Sequence, residues 1–94
     1  MIRVLYHWRV SPEAAAGFPG WWHDGTVHIR SSNRGALGST LLRSHDDPSL
    51  FVGVARWESV ETLESFRQAM GTIQFDGAVL ESIQVFQELD DLTI

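Results

Sequence analysis

The chain has 94 residues, 44% of them hydrophobic, with seven basic residues (all arginine) against twelve acidic ones and a net charge of −5. That length supports one domain over residues 1–94, burying about 60–65% of its unfolded surface, a thin margin that a homodimer would widen. The acidic balance argues against nucleic acid, the lack of cysteine excludes disulfides, thiolate metal sites and cysteine nucleophiles, and no apolar run reaches the roughly 18 residues of a membrane span.

Ile2 to Val10 alternates as a half-buried strand does. Ile2, Val4, Tyr6, Trp8 and Val10 form an apolar face, and Arg3, Leu5, His7 and Arg9 a more polar one. No signal-peptide layout precedes this strand, so the cytoplasm is the expected location. Ser11-Pro12-Glu13 then offers a capping serine, a proline at the first helical position and a glutamate behind it. Gly17, Pro19, Gly20 and Gly25 interrupt the helical pattern beyond it. Residues 12–34 therefore read as a broken helix, or a short helix and a longer one restarting near Pro19, with Trp22, Thr26 and Ile29 inside. Gly35 reads as a left-handed helix stop.

Residues 37–45 hold Leu37, Leu41 and Leu42 among polar neighbours, a pattern compatible with a half-buried strand. Asp46-Asp47-Pro48-Ser49 is turn chemistry. Leu50 to Trp57 is β-branched and aromatic, apolar through Ala55, as in a strand buried on both faces. Ser59 suits an N-cap and Glu61 the first turn of a helix. That helix carries Val60, Leu63, Phe66 and Met70 on its inner face and stops near Gly71. Residues 72–81 are ambiguous, a short helix with Phe75, Val79 and Leu80 being one reading. Ser82 to Leu89 forms the last strand, with Ile83, Val85 and Leu89 on one face and Phe86 on the other, before a surface tail at Asp90-Asp91.

The order is βαββαβ, an α+β fold. Right-handed crossovers put the first and third strands at the centre of a four-stranded antiparallel sheet, with both helices on one face. The other face, Arg3, Leu5, His7 and Arg9 beside Val52, Val54 and Arg56, stays open: it suits a second copy of the chain, or its arginines face solvent in a monomer. If Trp57 faces the helices, Phe51, Gly53 and Ala55 share its side. Gly53 and Ala55 then leave room for a small-molecule pocket bordered by the aromatic side chains of Tyr6, Trp8, Trp22, Trp57 and Phe66. The alternative is that these aromatics fill a core and the small residues allow close helix packing.

Four histidines bear on the chemistry. His23 and His28 lie five apart, about 140° around a helix, and make no metal pair, so no metal is expected. His23-Asp24 is an acid/base pair or an exposed helical turn, and His45 flanks a solvated turn. His7 is the best general-base candidate because imidazole titrates near neutral pH, although alternation sets it opposite a helix-covered pocket. No nucleophile elbow and no phosphate-binding glycine loop occur.

The run from Gly35 to Ser59, G-A-L-G-S-T-L-L-R-S-H-D-D-P-S-L-F-V-G-V-A-R-W-E-S, resembles the antibiotic biosynthesis monooxygenase family, most clearly from Gly35 to Phe66. The resemblance implies a dimeric α+β barrel of ferredoxin-like fold, in which the open sheet faces of two copies meet. Such families include cofactor-independent oxygenases of polyketide quinols, haem-degrading enzymes and proteins without a known substrate. Trp57 matches a tryptophan that ends the third strand and lines the pocket in several members. Haem-degrading members use an asparagine where Tyr6 stands and a histidine where Phe66 or Arg67 stands, so haem degradation is not implied. Many members carry a glutamate two positions before the tryptophan; here that position is Ala55. The implied activity is a monooxygenase-like reaction on a small aromatic or quinol-type metabolite without any cofactor. The competing expectation is a non-catalytic dimeric barrel that binds a small hydrophobic ligand or serves a stress response. An open aromatic cavity bordered by Tyr6 favours the first, a packed interior the second.

Overall fold

The computed structural model describes residues 1–71 and 73–93. Its elements are β1 (Ile2–Val10), α1 (Phe18–Ser32), β2 (Ala36–Arg43), β3 (Leu50–Trp57), α2 (Val60–Ala69) and β4 (Ala78–Gln87). The sheet runs β2-β3-β1-β4 with every neighbouring pair antiparallel, the ferredoxin-like arrangement that the element order implies.

Register explains which side is core. Ile2 pairs with Trp57, Val4 with Ala55, Tyr6 with Gly53 and Trp8 with Phe51, so the apolar sides of β1 and β3 coincide. Two separate clusters form on that side. Ile2, Val4, Ala55 and Trp57 pack with Leu63 and Phe66 of α2. Trp8, Val10 and Phe51 pack with Phe18 of α1, and Tyr6 touches both groups. α2 is anchored to the first cluster, whereas α1 is anchored to the second through Phe18 and reaches the first through Ile29. The middle row, Tyr6 and Gly53, lies between the two clusters.

Local chemistry fixes the joints. Ser59 caps α2 by accepting from the Thr62 amide, and Thr62 Oγ1 accepts from the Ser59 amide, both at 3.2 Å. In the β2–β3 turn, Asp47 Oδ1 accepts from the Ser49 amide at 3.1 Å, as the turn sequence leads one to expect. Residues 12–17 form turns rather than a first helix. The Ser11 carbonyl accepts from the amides of Ala14 and Ala15, and α1 starts at Phe18, whose side chain is fully buried.

Further sequence expectations are corrected. Gly35 is not left-handed: the only positive φ values among the described residues belong to Gly38 (122°) and Gly77 (88°). Gly35 is required instead because a Cβ there would sit 2.3 Å from Thr62 Cβ, where the end of α1 meets α2. The second strand spans Ala36–Arg43 rather than 37–45, with a bulge between Ala36 and Gly38. Of the ambiguous residues 72–81, the described ones, 73–81, are not a short helix. Thr72 lies outside the described residues, Phe75 bridges to Ala78 around Gly77, and Val79 and Leu80 already belong to β4. A register shift between His7 and Trp8 causes this confusion, because Ile83 pairs with Tyr6 while Leu80 pairs with Trp8. One extra residue breaks the period of two, leaving apolar spacing that imitates a helix. β4 also ends at Gln87, which leaves Leu89 beyond the strand and 89% exposed.

No helix covers the opposite face. There Glu88 meets Arg3 at 3.0 Å and Arg56 at 3.1 Å, and Asp91 lies 3.5 Å from Arg3. Among the described residues, no helix is long and apolar enough to cross a membrane.

Candidate functional site

Between α1 and α2 a gap remains above the sheet. It forms a cavity of about 460 Å³. Gly53, Ala55 and Trp57 of β3 make its floor with Tyr6 of β1. Trp21, Trp22, Thr26 and Ile29 form the α1 wall, and Phe66, Ala69 and Met70 the α2 wall. The floor can exist only because β3 carries small residues at alternate positions. A Cβ on Gly53 would lie 3.3 Å from the Trp22 indole nitrogen and 3.8 Å from Tyr6 Cβ.

All five aromatics selected from the sequence border this cavity, in different ways. Tyr6 and Trp22 are half-buried and turn surface toward the open space. Trp57 is 3% exposed and lies against Phe66 with ring centroids 5.0 Å apart and a 32° tilt, so this pair forms a rigid end wall. Trp8 is equally buried, edge-on to Phe18 and Trp21 at 5.4 and 5.6 Å, and supports the wall from within the core.

Sequence reasoning missed Trp21 and Ile73, and the polar His28 and Arg30, all of which border the same space, as does Met70 of the inner face of α2. The helical phase that selected Trp22, Thr26 and Ile29 sets Trp21 toward Phe18 and Phe75, whose centroids lie 5.6 and 5.1 Å from its ring. The three-residue step from Phe18 to Trp21 could have signalled this. His7 is placed away from the cavity, on the open sheet face, with its Nε2 3.0 Å from Gln84 Oε1. It is not the base for this site. His23 and His45 do not border it either.

A second cavity of about 520 Å³ lies between α2 and β4 and shares Tyr6, Phe66, Met70, Gly71 and Ile73 with the first. Tyr6 therefore stands at the junction. Burial pushes its phenol above the usual value of 10, partly offset by the nearby Arg67 guanidinium. At neutral pH its hydroxyl keeps its proton and can donate a hydrogen bond. Among the described residues no three acidic or imidazole side chains gather as a metal-binding group.

Residues 1–88 match the antibiotic biosynthesis monooxygenase family. No curated protein sequence matches the chain. Among solved structures, the heme-degrader MhuD of Mycobacterium tuberculosis, with two hemes bound in its active site, superposes with a TM-score of 0.80. It is 19% identical, over 98% of this chain and 99% of that one. A proposed antibiotic biosynthesis monooxygenase from Deinococcus radiodurans gives 0.76 at 14% identity, over 100% and 98% of the two chains. Rv0793 of Mycobacterium tuberculosis gives 0.68 at 17% identity, over 98% of each chain. At these identities the superpositions speak for the fold.

The residues present do not fit a haem held by a histidine of α2. Phe66 is locked against Trp57, the rest of that wall is Ala69 and Met70, and the one bordering imidazole, His28, sits on the exposed part of α1. The family assignment itself rests on the match over nearly the whole chain and on the fold. This chain belongs to the antibiotic biosynthesis monooxygenase family.

Proposed function

We propose that the chain is a cofactor-independent monooxygenase-like protein acting on a small aromatic or quinol-type metabolite held between α1 and α2. The observation that carries this reading is the cavity itself: about 460 Å³ of open space, walled by tryptophans, where a packed interior would need none. Gly53 and Ala55 give a floor of small residues, Trp22 and Trp57 border it, and Tyr6 gives one protonated donor.

A quinol needs little from the protein. It supplies all the electrons itself, so dioxygen leaves one oxygen atom on the ring and the other in water, giving a hydroxylated quinone without an outside reductant. The protein's part is to orient the ring, exclude bulk water and accept a phenolic proton. His28 is the one imidazole bordering the cavity and is proposed as that acceptor. Tyr6 would steady a substrate oxygen by hydrogen bonding.

The same reading includes a cytoplasmic homodimer built on the uncovered sheet face. Support comes from apolar residues left in water there and on β4: Leu42 is 51% exposed, Phe86 46% and Val79 63%.

Oxygen uptake with naphthalene-1,4-diol tests the function. Uptake should rise in proportion to protein above the diol's own oxidation, and His28→Ala should lower it at least about tenfold. Ligand binding without added uptake would overturn the enzyme reading and leave a binding barrel.

A further inference from the structure

Charge is distributed unevenly in this molecule. The chain has twelve acidic and seven basic residues. Yet among the described residues no aspartate or glutamate borders either cavity, whereas Arg30, Arg56 and Arg67 do. The three arginines are not equivalent. The Arg56 guanidinium is held by Glu88 on the other face of the sheet, at 3.1 Å. Arg30 stands on the exposed part of α1. Arg67 borders the second cavity together with Tyr6.

Arg67 is also available. Its ion-pair partner among the described residues is Glu64, one helical turn back at 3.2 Å, with the two side chains 43% and 49% exposed. An exposed pair of that kind is weak and is weakened further by salt, so a ligand's anion can displace it. Phe66, Ile73, Leu80 and Ile83 border the same cavity, so the guanidinium stands at the edge of an apolar lining.

The geometry points to a ligand that is both aromatic and anionic: its ring lies on the Gly53–Ala55 floor, and a carboxylate extends past Tyr6 to the Arg67 guanidinium in the second cavity. The Tyr6 hydroxyl donates to the same carboxylate from the junction. Arg67 is then the residue that selects acids over neutral aromatics, through a charge-assisted hydrogen bond. This inference rests on the reading of the first cavity as a ligand site.

Two probes of equal shape separate the inferences: 6-hydroxy-2-naphthoate and its neutral amide, titrated calorimetrically into the full chain. The acid should bind about tenfold more tightly than the amide, the scale of one charged hydrogen bond. Arg67→Gln should abolish that preference and leave amide affinity within about twofold. Glu64→Gln, outside both cavities, should tighten the acid about two- to threefold by freeing Arg67. Equal binding of acid and amide by the wild-type chain would overturn the Arg67 assignment while leaving the aromatic cavity intact. Equal weakening of both probes by Arg67→Gln would overturn it too. Binding of neither probe would remove the ligand site itself, and this inference with it.

Discussion

The indole nitrogen of Trp22 stands 3.3 Å from the point that a Cβ on Gly53 would occupy, so the α1 wall meets the cavity floor with no spare methyl's width. Gly53 has an ordinary strand backbone, and alanine there restricts the unfolded chain by about 0.4–1 kcal/mol. Trp22 is half-buried beside open space and can give way. Gly53→Ala should therefore melt within a few degrees of the parent while weakening naphthalene-1,4-diol binding at least about threefold, since the displaced indole narrows the floor. Paired thermal melts and calorimetric titrations check both halves.

Gly35 presents the opposite case. Its missing Cβ would come within 2.3 Å of Thr62 Cβ and 2.7 Å of Thr62 Cγ2, atoms held by the capped first turn of α2. Gly35→Ala should cost about 1–3 kcal/mol or more in urea denaturation, because the two elements must move apart. Gly35→Asn should be worse still. A left-handed helix stop would tolerate asparagine, so the order of the two variants distinguishes the causes.

The alternation of β1 is legible in the sequence because its even positions are apolar, whereas the apolar run of β3 reads as buried on both faces although only Phe51, Gly53, Ala55 and Trp57 are buried. The α2 cap is legible because Ser59 acts within its own segment. β4 is not, since its register shift opposite His7 and Trp8 destroys the period on which strand recognition depends. The cavity aromatics follow from β1 and β3 once those faces are known. Trp21 and Arg67 are hidden for another reason. Their place depends on how α1 and α2 splay over the sheet, a relation between distant segments that no local pattern encodes. The need for glycine at position 35 is visible, but a close approach between elements looks the same in sequence as a turn.

Trp57 serves packing and the cavity wall together. It is 3% exposed and lies 5.0 Å from the Phe66 ring. Trp57→Phe should keep the fold at a cost of about 1–3 kcal/mol, from the void left by the lost ring. It should also weaken the diol by more than the melting shift alone accounts for, since an end wall is removed. Lost stability with unchanged ligand stabilisation would make Trp57 a packing residue only.

Acid sensitivity should report the ion pairs on the open sheet face. Hydrogen bonds from Arg3 first and Arg56 second hold the Glu88 carboxyl below its ordinary value of 4.5. Asp91 is lowered mainly by Thr93, with help from the same arginines. A carboxylate depressed in the folded state contributes stability above its ordinary pKa and loses it as pH falls through the folded value. Glu88→Gln should therefore melt below the parent near neutral pH, and the two curves should converge as pH falls below the ordinary carboxyl value and through the lowered one. Added salt should shrink the gap.

The central claim is that an aromatic ligand lies on the Gly53–Ala55 floor between α1 and α2. The chain has four tryptophans, and their indole N–H groups give separate nitrogen-correlated NMR signals. Titration with naphthalene-1,4-diol under anaerobic conditions reads all four at once. The Trp22 and Trp57 signals should shift together and saturate at one ligand per chain, with Trp8, packed behind the wall, shifting least. Saturable binding that leaves the Trp22 and Trp57 signals in place would contradict the account.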